Sequence, residues 1–329
     1  MNLLSVFPHF ILLLIIPLLI SYIIVRLLAP QLIPYLHKLK FGQSIREEGP
    51  SSHQKKAGTP TMGGMLFIPA IIIPSIILPL IDQENNLSVW LVFLLFIGHF
   101  IIGFLDDYIK VVLKRNLGLR AREKIMAQLL LSCIFAYFFP AKDIWIPLAN
   151  SYIDLGVLYY PFVFIVIIGT TNAVNLTDGL DGLLSGVTLP VAAAFTFICL
   201  LLNDLKLAMI CVALFGACVG FLKFNYNPAK VFMGDTGSLA LGGIIAGIAL
   251  ATNTTILLVI IGALYVAEAS SVIMQVISFK TTGKRIFKMS PIHHHFELCG
   301  WNEKKVVNVF VLVSCLFSVL GVCIFLLSN

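Results

Sequence analysis

The chain has 329 residues, 59% of them hydrophobic and 12% charged, where a soluble globular domain carries about 25% charged residues. That balance excludes a soluble enzyme and identifies a polytopic membrane protein, in which the bilayer replaces the buried core. The formal net charge of +6 would suit a nucleic-acid partner, but its placement along the loops argues for no nucleic acid and for a topology signal instead.

Ten apolar segments are long enough, or nearly so, to cross a bilayer: Phe7–Leu28, Met62–Ile81, Ser88–Leu105, Ile125–Phe139, Tyr159–Val174, Leu183–Leu202, Leu205–Leu222, Ser238–Ala251, Thr255–Phe279 and Val306–Leu327. The fourth and eighth are short for a full span. The predicted fold is therefore an all-α membrane protein, a single ten-span domain over residues 1–329.

Lys and Arg set its orientation. Lys38, Lys40, Arg46, Lys55 and Lys56 follow the first segment, and Lys110, Lys114, Arg115, Arg120, Arg122 and Lys124 follow the third. Lys223 and Lys230 follow the seventh; Lys280, Lys284, Arg285, Lys288, Lys304 and Lys305 follow the ninth. The alternate loops hold only Lys142 and Lys206. The positive-inside rule puts the basic loops in the cytoplasm and both termini outside, and an even span number agrees. No basic region precedes the first apolar run, so it reads as an uncleaved span. The outer loop Pro140–Tyr160 alternates in part and suits a short hairpin. Cys133, Cys199, Cys211, Cys218, Cys315 and Cys323 fall in apolar runs with no Cys-x-x-Cys pair, as small buried hydrophobes do. The absence of an evident internal repeat weighs against a transporter built from inverted repeats.

The polar clusters all fall on the cytoplasmic side. Lys55-Lys56-Ala57-Gly58-Thr59-Pro60-Thr61-Met62-Gly63-Gly64 opens the second segment. It combines basic, hydroxyl and glycine residues suited to a phosphate, although a plain basic loop has the same composition, and it is not a Walker A pattern. Asp106 and Asp107 end the third segment, with Lys110 within helical reach of both. They read either as interfacial acids paired with lysine or as carboxylates for a divalent cation. Asn175-Leu176-Thr177-Asp178-Gly179-Leu180-Asp181-Gly182 joins the fifth and sixth segments, and one helical turn would put Asp178 and Asp181 on one face. Such paired acids at a membrane edge need a cation, a proton or a basic partner. Asn225, Tyr226 and Asn227 precede Phe232-Met233-Gly234-Asp235-Thr236-Gly237-Ser238 at the mouth of the eighth segment. There Asp235 is either an N-cap or part of an anion-presenting turn, and Phe232 either stacks on a base or anchors in the headgroups.

Ser290-Pro291-Ile292-His293-His294-His295-Phe296-Glu297 lies before the last segment, with Ser290 and Pro291 placed as N-cap and first helical residue. Consecutive histidines on a helix point about 100° apart, so the three cannot share one zinc, and phosphate or sugar hydroxyls suit them better. Glu268 and His99 sit inside apolar segments without an obvious partner.

Together these motifs resemble the polyprenyl-phosphate hexosamine-1-phosphate transferase superfamily and, within it, the phospho-N-acetylmuramoyl-pentapeptide transferase family. The likeness rests on Lys56-x-Gly-Thr-Pro-Thr61-Met-Gly-Gly, Asp106-Asp107-x-x-Lys110, Asn175 to Gly182, Asn225 to Asn227, Phe232 to Ser238, and Pro291-x-His-His-His295-Phe-Glu. The histidine cluster favours this family over relatives that use UDP-N-acetylglucosamine.

The resemblance implies transfer of phospho-MurNAc-pentapeptide from UDP-MurNAc-pentapeptide to undecaprenyl phosphate, giving lipid I and UMP for peptidoglycan synthesis. It also implies magnesium, a homodimer in the bacterial inner membrane with its active-site cleft facing the cytoplasm, and inhibition by nucleoside antibiotics. By resemblance Asp235 makes the most direct metal contact, with Asp106, Asp107, Asp178 and Asp181 around metal and phosphates. Lys56, Lys110, Thr61, His293, His294 and His295 hold phosphates and sugar. Phe232, Asn225, Gly179, Leu180 and Asp181 form the uridine pocket, beside Asn175 and Gly234.

Asp106 is the candidate base or nucleophile. A phosphate monoester has a second pKa of about 6 and is mostly dianionic at neutral pH, so direct attack by the lipid phosphate is expected. The rival of another class is a transporter or lipid flippase working through Glu268 and His99.

Overall fold

The computed structural model describes residues 3–39, 56, 58–81, 86–113 and 118–328. The inner-loop charges Lys40, Arg46, Lys55, Lys114 and Arg115 lie outside the described residues. Within them the chain forms twelve α-helices and one β-hairpin. The helices are α1 (Leu3–Lys38), α2 (Phe67–Ile81), α3 (Leu87–Val111), α4 (Ala121–Phe138), α5 (Tyr159–Leu176), α6 (Leu183–Leu201), α7 (Leu205–Asn225), α8 (Gly234–Ala251), α9 (Thr255–Ile261), α10 (Ala263–Thr282), α11 (Ile292–Leu298) and α12 (Glu303–Ser328).

Seven of these are long and apolar enough to cross a membrane, or eight if α9 and α10 count as one broken span. The fold is that of a polytopic, mostly helical membrane protein. Two expected segments fall below that standard for physical reasons. α2 has 15 residues after a 3₁₀ turn at Gly63–Leu66, and α4 carries Arg122, Glu123 and Lys124 in its first turn. The eighth segment gains a turn at its start, because α8 begins at Gly234 rather than Ser238.

The expected ninth span is not continuous. α9 and α10 meet at Gly262 with an 81° bend. A straight helix over Thr255–Phe279 would run about 38 Å, beyond a hydrocarbon core of about 30 Å. Beyond the bend α10 packs against α5, α11 and α12, and Gln275 on it ties down the following loop. Its Oε1 accepts from the backbone N–H groups of Ile286 and Phe287 at 3.0 and 2.9 Å, and its Nε2 donates to Phe287 O at 2.9 Å.

α8 sits at the centre, buried along nearly its whole length between α3 and α5, while α7 packs against α1, α2 and α6. Exposed apolar residues at helical spacing, such as Leu12, Ile15, Leu19, Ile23 and Leu27 on α1, and Leu312, Leu316 and Val319 on α12, mark faces suited to lipid. The α6–α7 connection turns on Asn203 in the left-handed region, and Asp204 caps α7 by accepting from the Leu207 N–H at 2.9 Å.

The bundle has two unlike ends. At one, β1 (Asp143–Ile146) pairs antiparallel with β2 (Ser151–Asp154), the hairpin expected in the Pro140–Tyr160 loop. The hairpin is tied to the α8–α9 turn by Trp145 N–H to Asn253 Oδ1 (3.1 Å) and to the end of α12 by Leu148 N–H to Ser328 Oγ (2.7 Å). At the other end lie the close of α3, the start of α8 and the start of α12, and there the motifs gather.

Candidate active site

Asp106 and Asp107 occupy the last turns of α3, and Asp235 the first turn of α8. Asp106 is fully buried, Asp107 nearly so, and Asp235 partly exposed. Oxygens of the three carboxylates lie within 4.8 Å of one another. Two ammonium groups lie among them. Lys110 Nζ is 2.5 Å from Asp106 Oδ2 and 3.1 Å from Asp235 Oδ2; Lys124 Nζ is 3.0 Å from Asp106 Oδ1 and 2.8 Å from Asp235 Oδ2. Asp106 Oδ1 also accepts from the Leu119 N–H at 2.8 Å, and Asp107 Oδ2 accepts from the N–H and hydroxyl of Thr236 at 2.8 and 2.6 Å. Asp235 is thus no N-cap; its carboxylate belongs to the cluster.

Asp178 borders the same group. Burial of its carboxyl, reinforced by the negative charges of Asp235 and Asp107, pushes its pKa well above the usual carboxylate range, against the pull of a hydrogen bond from the Gly234 backbone. Lys110 and Lys124 therefore pair with Asp106 and Asp235, while Asp107 and Asp178 add further negative charge beside them. Such a site lacks positive charge and offers hard oxygen donors, which fits a divalent cation of the magnesium type; Asp235, Asp106, Asp107 and Asp178 are the residues that could hold it.

The backbone explains why these loops meet. The stretch from Pro60 to Gly64 is stitched to Phe232 and Met233: Phe232 N–H donates to Pro60 O, Gly63 N–H to Phe232 O and Gly64 N–H to Met233 O, at 2.8 to 2.9 Å. Gly234 takes φ +71°, and a Cβ there would lie 2.5 Å from Asp107 Oδ2 and 2.6 Å from Thr61 Oγ1, so only glycine lets the strap pass between them. Asn175 Oδ1 accepts from Ser238 Oγ at 2.8 Å, tying the Asp178 loop to α8.

A second constellation lies beside the first. Lys56 Nζ contacts Asp181 Oδ1 at 2.7 Å and Glu303 Oε1 at 2.5 Å. Glu303 Oε1 also accepts from the Asp181 N–H at 2.7 Å, and its Oε2 from Asn227 Nδ2 at 2.8 Å. Asp181 Oδ2 accepts from Asn227 Nδ2 at 3.3 Å and the Ala229 N–H at 2.9 Å. Asn225 is buried, with its amide engaged by the Gly182 N–H and Val231 O. Leu180 is buried, and Phe232 is partly exposed at the edge. Asp181 therefore stands one step from the acid cluster, close enough to act electrostatically on Asp178 but bonded to Lys56 instead.

The histidines point three ways. His293 is buried with Nδ1 3.0 Å from Glu268 Oε2, His294 pairs with Glu297 Oε2 at 2.8 Å, and His295 Nδ1 accepts from the Lys288 N–H at 3.1 Å. Pro291 itself precedes the helix as its N-cap, one residue later than expected for Ser290. His99 binds its own helix, with Nδ1 2.7 Å from Leu95 O, and stays away from the site.

The partners of three residues are not legible in the sequence. Lys124 counts there as one inside-positive charge among several, and nothing local separates it from Arg122. Glu303 is the first-turn acid of α12, a common helix feature. Glu268 is visible as an intramembrane acid, but its partner, 25 residues on, is set by the bend at Gly262.

Residues 89–253 match the family described as Glycosyl transferase family 4, and residues 56–68 match phospho-N-acetylmuramoyl-pentapeptide-transferase signature 1. The phospho-N-acetylmuramoyl-pentapeptide-transferase of Bacillus subtilis (strain 168) is 53% identical over 312 residues, covering 93% of this chain and 96% of that protein. Its counterparts in Bacillus mycoides (strain KBAB4) and Bacillus anthracis are 52% identical over 311 residues, with 93% and 95% covered.

Proposed function

Since this chain belongs to the phospho-N-acetylmuramoyl-pentapeptide-transferase family, we propose that it transfers phospho-MurNAc-pentapeptide from UDP-MurNAc-pentapeptide to undecaprenyl phosphate, releasing UMP and forming lipid I for peptidoglycan synthesis. The observation that carries this reading is the gathering of Asp106, Asp107 and Asp235 with Lys110 and Lys124 at one end of a membrane bundle. A water-soluble nucleotide and a lipid phosphate can meet only at an interface.

The chief obstacle is repulsion between phosphates. Two unit charges about 4 Å apart interact by about 4 kcal/mol at an effective dielectric near 20, or about three powers of ten in rate. Lys110 and Lys124 lie where they can meet phosphate oxygens, and the acids hold both ammonium groups in place. Asp235, Asp106, Asp107 and Asp178 would hold magnesium, which when bound supplies further positive charge to the phosphate oxygens. The lipid phosphate oxygen attacks the β-phosphorus, and the bond to the bridging oxygen breaks with its electron pair leaving on UMP. Asp106 is a poor nucleophile here, because two ammonium groups and a backbone N–H grip a fully buried carboxylate. The Lys56–Asp181–Glu303 network, with Gly179, Leu180, Asn225 and Phe232 around it, shapes the uridine pocket. Thr61, Asn175 and Gly234 set the strap beneath the phosphates, and the histidine helix borders the sugar, with His293 buried against the Gly179 backbone.

Ten spans with both termini outside, a cytoplasm-facing cleft in the inner membrane, a homodimer and nucleoside-antibiotic binding complete the proposal. The basic residues described at the motif end, against Lys142 and Lys206 elsewhere, support that orientation. Glu268 is engaged with His293 beside the motif loops, which weighs against a mid-membrane transport acid.

The test is direct: purified protein, magnesium, UDP-MurNAc-pentapeptide and a polyprenyl phosphate should yield UMP and a lipid-linked sugar. UDP-N-acetylglucosamine should not replace the nucleotide. No UMP, or a phosphosugar adduct on Asp106 in the absence of lipid, would count against the substrate and the mechanism respectively.

A further inference from the structure

Glu268 takes no part in the acid cluster, yet it is fully buried in α10, shortly after the bend at Gly262. Its Oε2 lies 3.0 Å from His293 Nδ1, and the histidine is also fully buried. Among the described residues, Glu268 Oε1 and His293 Nε2 have no hydrogen-bond partner. Burying an acid with one carboxyl oxygen left without a partner is costly. The far edge of the imidazole shows where it is aimed. A Cβ on Gly179 would lie 2.1 Å from His293 Nε2 and 2.6 Å from Cε1, so the ring presses its Nε2 edge on the backbone between Asp178 and Leu180. Glycine at 179 is what allows that approach.

A carboxylate on one ring nitrogen fixes that nitrogen as the proton-bearing one and orients the other. We propose that Glu268 is a positioning residue of the transferase reaction. From the bent helix it holds His293 so that Nε2 stays against the Asp178–Gly179 turn, where the loop meets substrate. This rests on the functional reading above. The helix break gains a purpose: it brings an acid from a spanning segment under α11.

The alternative is a staple between α10 and α11 with no bearing on the reaction, and kinetics separate the two. UMP release should be measured for wild type, E268Q, E268A, H293A and the E268A/H293A double variant, with folding followed by size-exclusion chromatography and thermal melting. E268A should lower kcat about 100-fold and E268Q about 10-fold, with the KM for UDP-MurNAc-pentapeptide within about threefold. In the H293A background, E268A should cost no more than about twofold further, because Glu268 acts only through the ring. Equal losses in both backgrounds, or wild-type kcat in folded E268Q and E268A, would overturn the inference while leaving the function intact. Should E268A aggregate, E268Q decides, since it keeps size and an acceptor. A wild-type protein that releases no UMP removes the functional reading and this inference together.

Discussion

The two charged constellations at the motif end both carry two acids for each lysine, yet they differ in how the carboxylates are satisfied. Around Asp181, every carboxylate oxygen has a donor: Lys56, Asn227, the Ala229 N–H and the Asp181 N–H satisfy four oxygens on two acids. Around Asp235, Lys110 and Lys124 pair with Asp106 and Asp235 while Asp107 and Asp178 add negative charge beside them, and Asp106 Oδ2 meets Lys110 as a charge contact without an aligned hydrogen bond. A satisfied network is a scaffold whose stabilisation is complete before ligand arrives. An incompletely satisfied one gains more from an incoming cation than from any rearrangement of its own. This contrast supports the proposal that the chemistry belongs in the second place and the shape of the pocket in the first.

Removing acid where it is in excess should hurt catalysis most. D235N keeps the size of the side chain but withdraws the carboxylate shared by both lysines. UMP release should fall by about a thousandfold or more, with the thermal midpoint little changed, since fewer crowded acids offset the lost ion pairs. An active D235N would mean that the cluster is only structural. K124M comes next. It removes one of two cations from the acid group, and the loss of phosphate neutralisation should cost about a hundredfold in kcat. The same change at Arg122 should cost little, although the two residues look alike in sequence.

Magnesium binding should sharpen the contrast through protons. The Asp178 pKa is raised because its carboxyl is buried beside Asp235 and Asp107. A cation needs that group ionised, so apparent magnesium affinity should strengthen as pH rises and level off once Asp178 is already charged in the free protein. Calorimetry in two buffers of different ionisation enthalpy should register proton release on binding, and less of it in D178N. Proton release unchanged in D178N would place the cation away from this residue.

Much of this architecture is legible in the residues, and the gaps have a common cause. Hydropathy finds the segments, and loop charge finds the shared end, because both depend on local composition against water and lipid. Lys110 beside Asp106 follows from helical spacing alone. The hairpin follows from alternation. Lys124, Glu303 and the Glu268–His293 pair do not, because each acquires its role from a segment 18 to more than 200 residues away: Lys124 from Asp106, Glu303 from Lys56. The bend at Gly262 is hidden for a related reason, as an apolar run reads the same whether straight or broken.

The smallest expected effect bears hardest on the comparison. Glu303 Oε1 receives both Lys56 and the Asp181 N–H, while Oε2 receives Asn227, so one side chain joins four stretches of chain. E303Q preserves the shape but makes one acceptor a donor facing existing donors, at a cost of about 1–3 kcal/mol for the groups left unpaired. If this network is scaffold, the thermal midpoint should drop by several degrees, and the KM for UDP-MurNAc-pentapeptide should rise about fivefold as Lys56 and the Asp181 loop loosen. The kcat should stay within about threefold of wild type, since neither lysine of the acid cluster touches Glu303. A kcat loss as deep as that of D235N would erase the division between the two constellations and make them one catalytic unit.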